Sequence, residues 1–245
     1  MLFRSDGQPA IDHVRAALGA GAHVITANKG PVAFAYHELS DLARTAERAF
    51  LFEGTVMDGV PIFNLVRETL PAVEILGFRG VVNSTTNHIL TEMEAGRSFD
   101  DALADMQRNG ITEADPSLDI DGWDAAAKTA ALANVLLGAR LTPHLIDRTG
   151  IRNVTAEDIR RAAERGRRIR LIVSAHRGKV EIAGRVAPFE IDQHAPLATL
   201  KGMQNALVLE TDVLGELAIT ELSAGLTQTA YALLSDLVTV RRRYR

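Results

Sequence analysis

The segment from Ala125 to Leu137 constrains the fold most, because it is almost entirely apolar. Its polar residues are Lys128, Thr129 and Asn134. Alanine and leucine favour helix, and a helix that is apolar on nearly every side has to be buried. The sequence therefore predicts a buried helix that carries one ammonium group, and a buried ammonium requires an anionic or polar partner.

Five carboxylates lie just before this lysine, at Glu113, Asp115, Asp119, Asp121 and Asp124. Asp124 precedes Lys128 by four residues, so both side chains share one helix face, in the favourable order of acid before base. An isolated pair at this spacing is usually a surface pair worth only ~0.3–0.5 kcal/mol. The apolar flanks and the crowded carboxylates favour a ligand site instead, in which the lysine exchanges a proton with a substrate oxygen.

The composition of the 245 residues, with 47% hydrophobic and 24% charged side chains, is typical of one large globular domain or two modest ones. No apolar run approaches the ~20 residues that span a bilayer, and the N-terminus lacks the apolar core of a signal peptide. We therefore expect a soluble, cytoplasmic protein without a membrane partner. The absence of cysteine excludes disulfides, thiolate metal sites and a cysteine nucleophile.

A net charge of −4 gives the chain no general attraction to nucleic acid. Two basic stretches, residues 160–170 and 241–245, are interpreted as a solvated helix face and a frayed tail rather than as phosphate-binding patches. We expect no nucleic-acid partner.

The N-terminal part of the sequence alternates helix and strand signals. Helices are predicted at 9–18 and 31–46, and strands at 23–26 and 49–52. This alternation is typical of a doubly wound parallel sheet.

Beyond residue 56 the pattern changes to that of an α+β region. The turn at Arg177 and Gly178 predicts an antiparallel hairpin. The segments assigned here are strands at 73–82, 169–175, 179–187 and 206–211, and helices at 61–70, 87–94, 99–109 and 227–240, with a further helix beginning at 155–158.

The single G-x-G of the sequence is Gly19-Ala20-Gly21. It follows a predicted helix and precedes a predicted strand, which is the reverse of the order in a dinucleotide-binding turn. We interpret it as a helix end.

Three polar segments lie at predicted junctions. Residues 83–87, Asn-Ser-Thr-Thr-Asn, begin a helix, where N–H groups and hydroxyls suit an anion, although capping by one residue is an equal alternative. Lys29, in the segment 26–30, follows a parallel strand at the sheet edge where ligands bind, although a lone loop lysine is more often exposed. Carbonyls of the loop 53–61 suit a hard cation, and a plain turn explains that loop nearly as well.

Together, the segments 26–30, 83–87 and 113–128 resemble homoserine dehydrogenases in their order and spacing. The resemblance extends from about Gln8 to Val240. It implies reversible hydride transfer between a nicotinamide cofactor, NAD or NADP, and a small-molecule substrate, aspartate semialdehyde, which gives homoserine for threonine, methionine and isoleucine biosynthesis. It also implies a homodimer.

The resemblance assigns roles to residues of this chain. Lys128 would act as acid, base or electrophile at the substrate carbonyl oxygen, Lys29 would be a second proton-handling group, and Asp124 would orient Lys128. The groups implied to contact the substrate are Glu113 and Asp119, at its amino group or hydroxyl, together with Thr85 and Ser84.

The cofactor and metal sites are implied in the same way. Asn28, Lys29 and Gly225 would border the cofactor, the last within a segment at 224–230 that returns to the cofactor domain. Main-chain carbonyls would bind a sodium ion in the loop that contains Glu53, Val56, Asp58 and Val60.

The sequence also departs from the family pattern. It begins beyond the first strand and glycine-rich turn of a complete member, so we expect an α/β fold with three parts. Residues 1–55 would be a C-terminal remnant of a Rossmann-type sheet, 56–220 an α+β substrate and dimerisation domain, and 221–245 the returning helix. In this chain Ile111 stands where many members have tyrosine, Ser84 stands where many have glycine, and Glu221-Leu-Ser-Ala224 replaces a segment that commonly contains glycines. These differences would alter substrate contacts and cofactor fit.

Two alternatives remain open on these residues. One is a truncated, non-catalytic paralogue or subunit that keeps the substrate fold. The other is a related dehydrogenase that acts on another small amino-acid aldehyde.

Overall fold

A computed structural model describes residues 7–110, 112, 115–178 and 181–244. Its N-terminal part contains a two-stranded parallel sheet, in which Val24 pairs with Phe50 and Ile25 with Leu51. The alternation of helix and strand predicted for this part is confirmed. Its elements are α1 (Ala10–Gly19), β1 (Val24–Ile25), α2 (Lys29–Thr45) and β2 (Phe50–Leu51).

Helix α1 ends where the Gly19-Ala20-Gly21 segment predicts an end. Gly21 has a φ of 77°, in the left-handed region that favours glycine, and its N–H donates to Leu18 O at 2.9 Å. The interpretation of this G-x-G as a helix end is therefore confirmed.

The remaining chain forms an α+β layer structure. The sequence-based assignment did not include the edge strand Glu216–Glu221, the short strand Asp147–Arg148 or the short helix Ser117–Ile120, and it began one helix at residue 87 rather than at Ser84. The elements in chain order are α3 (Ile62–Thr69), β3 (Ile75–Val81), α4 (Ser84–Glu94), α5 (Phe99–Arg108), α6 (Ser117–Ile120), α7 (Trp123–Leu136), β4 (Asp147–Arg148), α8 (Ala156–Glu164), β5 (Arg167–Arg177), β6 (Ile182–Asp192), β7 (Asn205–Thr211), β8 (Glu216–Glu221) and α9 (Leu226–Arg243), with short 3₁₀ turns at Glu53–Thr55, Pro143–Leu145 and Pro196–Thr199.

Strands β3 to β8 form one six-stranded sheet in the order β4-β6-β5-β3-β7-β8. Neighbouring strands are antiparallel except for β4 and β6, which are parallel. The hairpin of β5 and β6, in which Arg177 pairs with Ile182, confirms the predicted antiparallel pairing. Residues 179 and 180, included in the predicted second strand, lie outside the described residues.

Helix α7 is the buried helix predicted from the alanine-rich segment. It packs between α2 and strands β5 and β6, and its alanines allow close approach to both. Its two buried polar side chains are satisfied within the protein, since Thr129 donates to Ala125 O at 2.7 Å and Asn134 donates to Leu141 O at 2.9 Å. The charged side chains of this helix are Asp124 and Lys128, which lie 3.2 Å from each other.

A buried arginine holds the loop that leads into β7. The Arg170 side chain is fully buried, and its guanidinium donates to the Glu94 carboxylate at 2.6 Å and to the carbonyls of Ala198 and Leu200 at 3.0 and 3.2 Å. Asn87 of α4 holds the same loop by donating to Gln204 O at 3.1 Å. These contacts fix the position at which β7 begins.

We expect Arg170→Met to lower the free energy of unfolding by about 3–5 kcal/mol, because it leaves the Glu94 carboxylate without its buried partner. Arg168 contacts the same carboxylate at 3.2 Å but its side chain is 36% exposed. Arg168→Met is therefore the matched control and should lower the free energy of unfolding by less than about 1 kcal/mol. Urea denaturation of both variants measures the difference, and equal losses would contradict this explanation.

In the described part of the chain, no helix is long and apolar enough to cross a membrane. Helix α9 packs against the N-terminal part, where the Asp236 carboxylate accepts the Glu53 N–H at 3.0 Å. The boundaries at residues 55 and 220 stay predictions.

Candidate active site

The central carboxylate of the site lies at the start of α7. Gly122 has a φ of 81°, and this left-handed residue turns the chain from α6 into α7. Asp124 consequently lies in the first turn of α7, where the helix N-terminus favours a negative charge.

Two lysines share the Asp124 carboxylate. Lys29 Nζ lies 2.7 Å from Oδ1, and Lys128 Nζ lies 3.2 Å from Oδ2. Lys128 Nζ also donates to Val82 O at 2.7 Å. The predicted i, i+4 pair is therefore present, and the first residue of α2 joins it from the other side.

The two lysines determine the protonation of Asp124. Burial raises the pKa of Asp124, but the positive charges of Lys128 and Lys29 outweigh burial and hold that pKa well below its usual range. Burial lowers the pKa of Lys29, whereas the charges of Asp124 and Asp119 raise it, with a net increase. Asp124 is therefore a carboxylate and Lys29 an ammonium near neutral pH.

Asn83 joins the two aspartates of the site. Its Nδ2 donates to Asp119 Oδ1 at 2.7 Å and to Asp124 Oδ2 at 3.0 Å, while its Oδ1 accepts the Thr86 N–H and caps α4. Sequence reasoning named the segment around Asn83 but did not select this residue. Its position immediately after a buried strand and before a helix was the signal available.

The second aspartate, Asp119, lies beside the substrate-binding candidates. Burial and the charge of Asp124 raise the pKa of Asp119, and hydrogen bonds from Asn83 and Thr85 partly oppose them. Thr112 Oγ1 lies 3.5 Å from Asp119 Oδ2. Glu113 and Ile111, two positions singled out in the sequence, lie outside the described residues.

The candidate cofactor residues lie where three segments converge. A Cβ added to Gly54 would meet Ala27 Cβ at 3.3 Å and Thr229 Cγ2 at 3.6 Å, so the loop after β1, the loop after β2 and the start of α9 are in contact. Gly225 N donates to Asp58 Oδ2 at 2.7 Å, and Thr229 Oγ1 donates to Asp58 Oδ1 at 2.9 Å.

Asn28 serves a structural purpose in this region. Its Oδ1 accepts the Gly30 N–H at 2.9 Å and caps α2, which begins at Lys29. The helix therefore begins two residues earlier than predicted, and Lys29 lies in its first turn rather than in a loop.

Carboxylates of the predicted sodium loop are engaged by the protein itself. Glu53 accepts the N–H groups of Phe63 and Asn64 at 2.8 and 2.6 Å, and burial together with the charge of Asp236 raises the pKa of Glu53 to about 7. The Asp58 carboxylate accepts hydrogen bonds from Gly225 N and Thr229 Oγ1 at the start of α9. Within the described ranges, no three His, Cys, Asp or Glu side chains are grouped to hold a metal ion. Main-chain carbonyls, including Val56 O, are what this loop offers to a cation, and Val60 O already accepts the Ile62 N–H at 2.9 Å.

Two further buried polar residues lie at this site and were not selected from the sequence. Glu221 ends β8 opposite Asn205, the first residue of β7, and Asn205 Nδ2 donates to Glu221 Oε2 at 2.8 Å. Burial and the charge of Asp58 raise the pKa of Glu221, while the Asn205 hydrogen bond and the charge of Lys128 oppose them. In the sequence, Glu221 stood out through its departure from a glycine-containing segment.

A family model described as homoserine dehydrogenase matches residues 61–238. The chain is 39% identical to an NAD(+)-dependent homoserine dehydrogenase of Pseudomonas canavaninivorans, over 97% of this chain and 68% of that protein. It is 40% identical to a homoserine dehydrogenase of Sulfurisphaera tokodaii, over 97% of this chain and 74% of that protein.

Solved structures give the same result. The homoserine dehydrogenase from Thiobacillus denitrificans has a TM-score of 0.92 and 38% identity, over 97% of this chain and 55% of that chain. A hyperthermophilic archaeal homoserine dehydrogenase in complex with NADPH has a TM-score of 0.83 and 35% identity, over 96% of this chain and 69% of that chain.

An α/β chain with a partly buried Lys–Asp–Lys cluster at the starts of α2 and α7 fits an oxidoreductase site. The chain belongs to the homoserine dehydrogenase family. The family resemblance and the α/β fold class inferred from the sequence are thereby confirmed.

Proposed function

We propose that this protein catalyses the reversible, NAD(P)-dependent interconversion of aspartate semialdehyde and homoserine. The observation that carries the proposal is the pair of lysine ammonium groups on opposite oxygens of Asp124, whose side chain is 15% exposed. Such a cluster fixes a proton donor beside a position where negative charge develops on a carbonyl oxygen.

Lys128 is the proposed acid–base group. Of the three hydrogens of a lysine ammonium, one is donated to Val82 O at 2.7 Å, and Asp124 Oδ2 is an ion-pair partner 3.2 Å from Nζ. A remaining hydrogen has no hydrogen-bond acceptor in the part of the chain that the structure describes. We assign it to the carbonyl oxygen of the aldehyde, which takes the proton when the carbon takes the hydride. In the opposite direction, the hydroxyl of homoserine returns its proton to the lysine nitrogen.

Asp124 and Lys29 support this group. Asp124 fixes the direction of the Lys128 side chain and compensates its charge. Lys29 holds its proton firmly, because the charges of Asp124 and Asp119 raise the pKa of Lys29 more than burial lowers it. We therefore propose that Lys29 stabilises developing negative charge and supports proton transfer at Lys128.

The rest of the substrate would be bound by groups around Asp119. We propose that Asp119 and Glu113 hold the amino group or hydroxyl, with Thr85 and Ser84 beside the substrate. Asn83 supports this, since it directly precedes Ser84 and Thr85 and donates to Asp119 Oδ1 at 2.7 Å.

When bound, the nicotinamide cofactor would supply or accept the hydride at the substrate carbon. We propose that Asn28, Lys29 and Gly225, beside the carboxyl edge of β1 and β2 where doubly wound sheets bind ligands, would hold it. A cavity of about 490 Å³, lined by the loop at 59–61, the end of β8 and the start of α9, supports a ligand in this region. One relative is an NAD(+)-dependent enzyme and another forms a complex with NADPH, so either carrier is included in the proposal.

The remaining inferences from the resemblance are part of the same proposal. A sodium ion would bind to main-chain carbonyls in the loop of Glu53, Val56, Asp58 and Val60. The protein would form a homodimer, act in the cytoplasm and take part in threonine and methionine biosynthesis. The short loop closed by Asp58 and Gly225 supports the sodium ion, because it holds the carbonyls in fixed positions.

A substrate panel tests the proposed reaction. Initial rates of NAD and NADP reduction are compared for L-homoserine, L-serine and L-threonine. We expect turnover with homoserine to exceed that with serine by at least about tenfold, because a missing methylene moves the hydroxyl away from Lys128. A preference for another hydroxy amino acid would instead support the related-dehydrogenase alternative.

A further inference from the structure

Ser84, Asn205 and Glu221 form a chain of hydrogen bonds beside the Lys–Asp–Lys cluster. Asn205 Nδ2 donates one hydrogen to Ser84 Oγ at 2.9 Å and the other to Glu221 Oε2 at 2.8 Å. Asn205 and Glu221 are 3% and 4% exposed. Two of these residues, Ser84 and Glu221, are positions at which the sequence departs from the family pattern, and Asn205 connects them.

Glu221 determines which way the Asn205 amide faces. A serine hydroxyl both donates and accepts, so Ser84 tolerates either the oxygen or the nitrogen of the amide. A carboxylate only accepts, so Glu221 requires the NH₂ group. Asn205 Oδ1 has no partner among residues 7–110, 112, 115–178 and 181–244, so no other described contact opposes this choice.

The amide orientation in turn determines the role of Ser84. Because Ser84 Oγ accepts a hydrogen from Asn205, its own hydrogen is directed elsewhere, and no acceptor for it is present in the described part of the chain. Ser84 is half-buried at the start of α4, directly after Asn83, which donates to Asp119 Oδ1 at 2.7 Å. The hydroxyl therefore offers a directed donor within the candidate substrate site.

We propose that Glu221 and Asn205 position the Ser84 hydroxyl as a hydrogen-bond donor to an oxygen of the bound amino-acid substrate. Ser84 is then a specificity-determining contact, while Asn205 and Glu221 are positioning residues that act through it. This inference rests on the proposed function, because it takes homoserine as the ligand.

A double-mutant cycle tests the coupling, with the dissociation constant of L-homoserine measured by titration calorimetry. Ser84→Ala and Glu221→Leu should each weaken binding about fivefold, the effect of losing one hydrogen bond. The double variant should also lose about fivefold, because Glu221 has nothing left to position. Glu221→Gln keeps an acceptor oxygen and should bind within about twofold of the wild type.

A second variant, Asn205→Asp, tests the same coupling if Glu221→Leu does not fold. Asn205→Asp gives Ser84 a carboxylate that takes its hydrogen, so we expect the same loss of about fivefold, and no further loss when it is combined with Ser84→Ala. In steady-state assays these losses should raise KM and leave kcat within about twofold, whereas general loosening of the site would lower kcat.

The possible outcomes separate the two proposals. If the wild type binds homoserine but the double variants lose about 25-fold in affinity, the two single effects are independent. That result would overturn the positioning role of Asn205 and Glu221 and leave the proposed function standing. A folded wild type that does not bind homoserine would overturn the proposed function and this inference together. Thermal denaturation of each variant shows whether it is folded.

Discussion

Replacing Asp124 by asparagine is expected to lower the free energy of unfolding by about 3–5 kcal/mol at pH 7. Asp124 is the shared counter-charge of Lys29 and Lys128, whose side chains are only 23% and 17% exposed. Asparagine has a similar shape but no charge, so two neighbouring ammonium groups lose the carboxylate that compensates them. Denaturant titration measures the loss.

The same substitution should reduce homoserine-dependent turnover by about a hundredfold or more, because Lys128 loses one of the two contacts that fix its nitrogen. Asp147→Asn is the matched control, since Asp147 is 75% exposed and pairs with Arg185 at 3.2 Å. It should change stability by less than about 1 kcal/mol and leave turnover unaltered. A fully stable and active Asp124→Asn protein would contradict the assigned charge compensation.

The stability deficit of Asp124→Asn should depend on pH. The folded protein holds the pKa of Asp124 below its unfolded value, so this group stabilises the fold above the unfolded pKa of about 4, and the contribution is lost as the pH falls further. We therefore expect the difference in melting temperature between wild type and Asp124→Asn to be larger at pH 7 than at pH 3. An equal difference at both values would exclude the ionised carboxylate as its cause.

Local patterns predicted the elements with strong signals. The apolar segment at 125–137 predicted α7, and the four-residue spacing predicted the contact of Asp124 with Lys128. The edge strand β8 was missed, because Leu217 and Ile219 are its only large aliphatic residues and give a weak alternation. The predicted start of α4 was late, because the polar run 84–87 was interpreted as a junction although Asn83 already caps the helix.

Long-range contacts could not be predicted from local sequence patterns. Nothing local indicates that Lys29 reaches the same carboxylate as Lys128, because the packing of α2 on α7 determines that distance. The hydrogen bonds of Asn83 could not be predicted for the same reason, since the two aspartates that accept them lie 36 and 41 residues away in the sequence. The contribution of Glu221 depends on the pairing of β7 with β8, and β8 was not assigned. The proposed roles of the site residues remain predictions.

The most direct test is homoserine-dependent reduction of NAD and NADP by the wild type and by Lys128→Ala, with Lys201→Ala as a matched control on an exposed lysine. We expect Lys128→Ala to lower kcat by about a thousandfold, because general acid–base groups contribute ~10²–10⁴-fold, while Lys201→Ala should match the wild type. Turnover retained in a folded Lys128→Ala protein would contradict the central role of Lys128. A folded wild type without turnover would instead support the non-catalytic alternative.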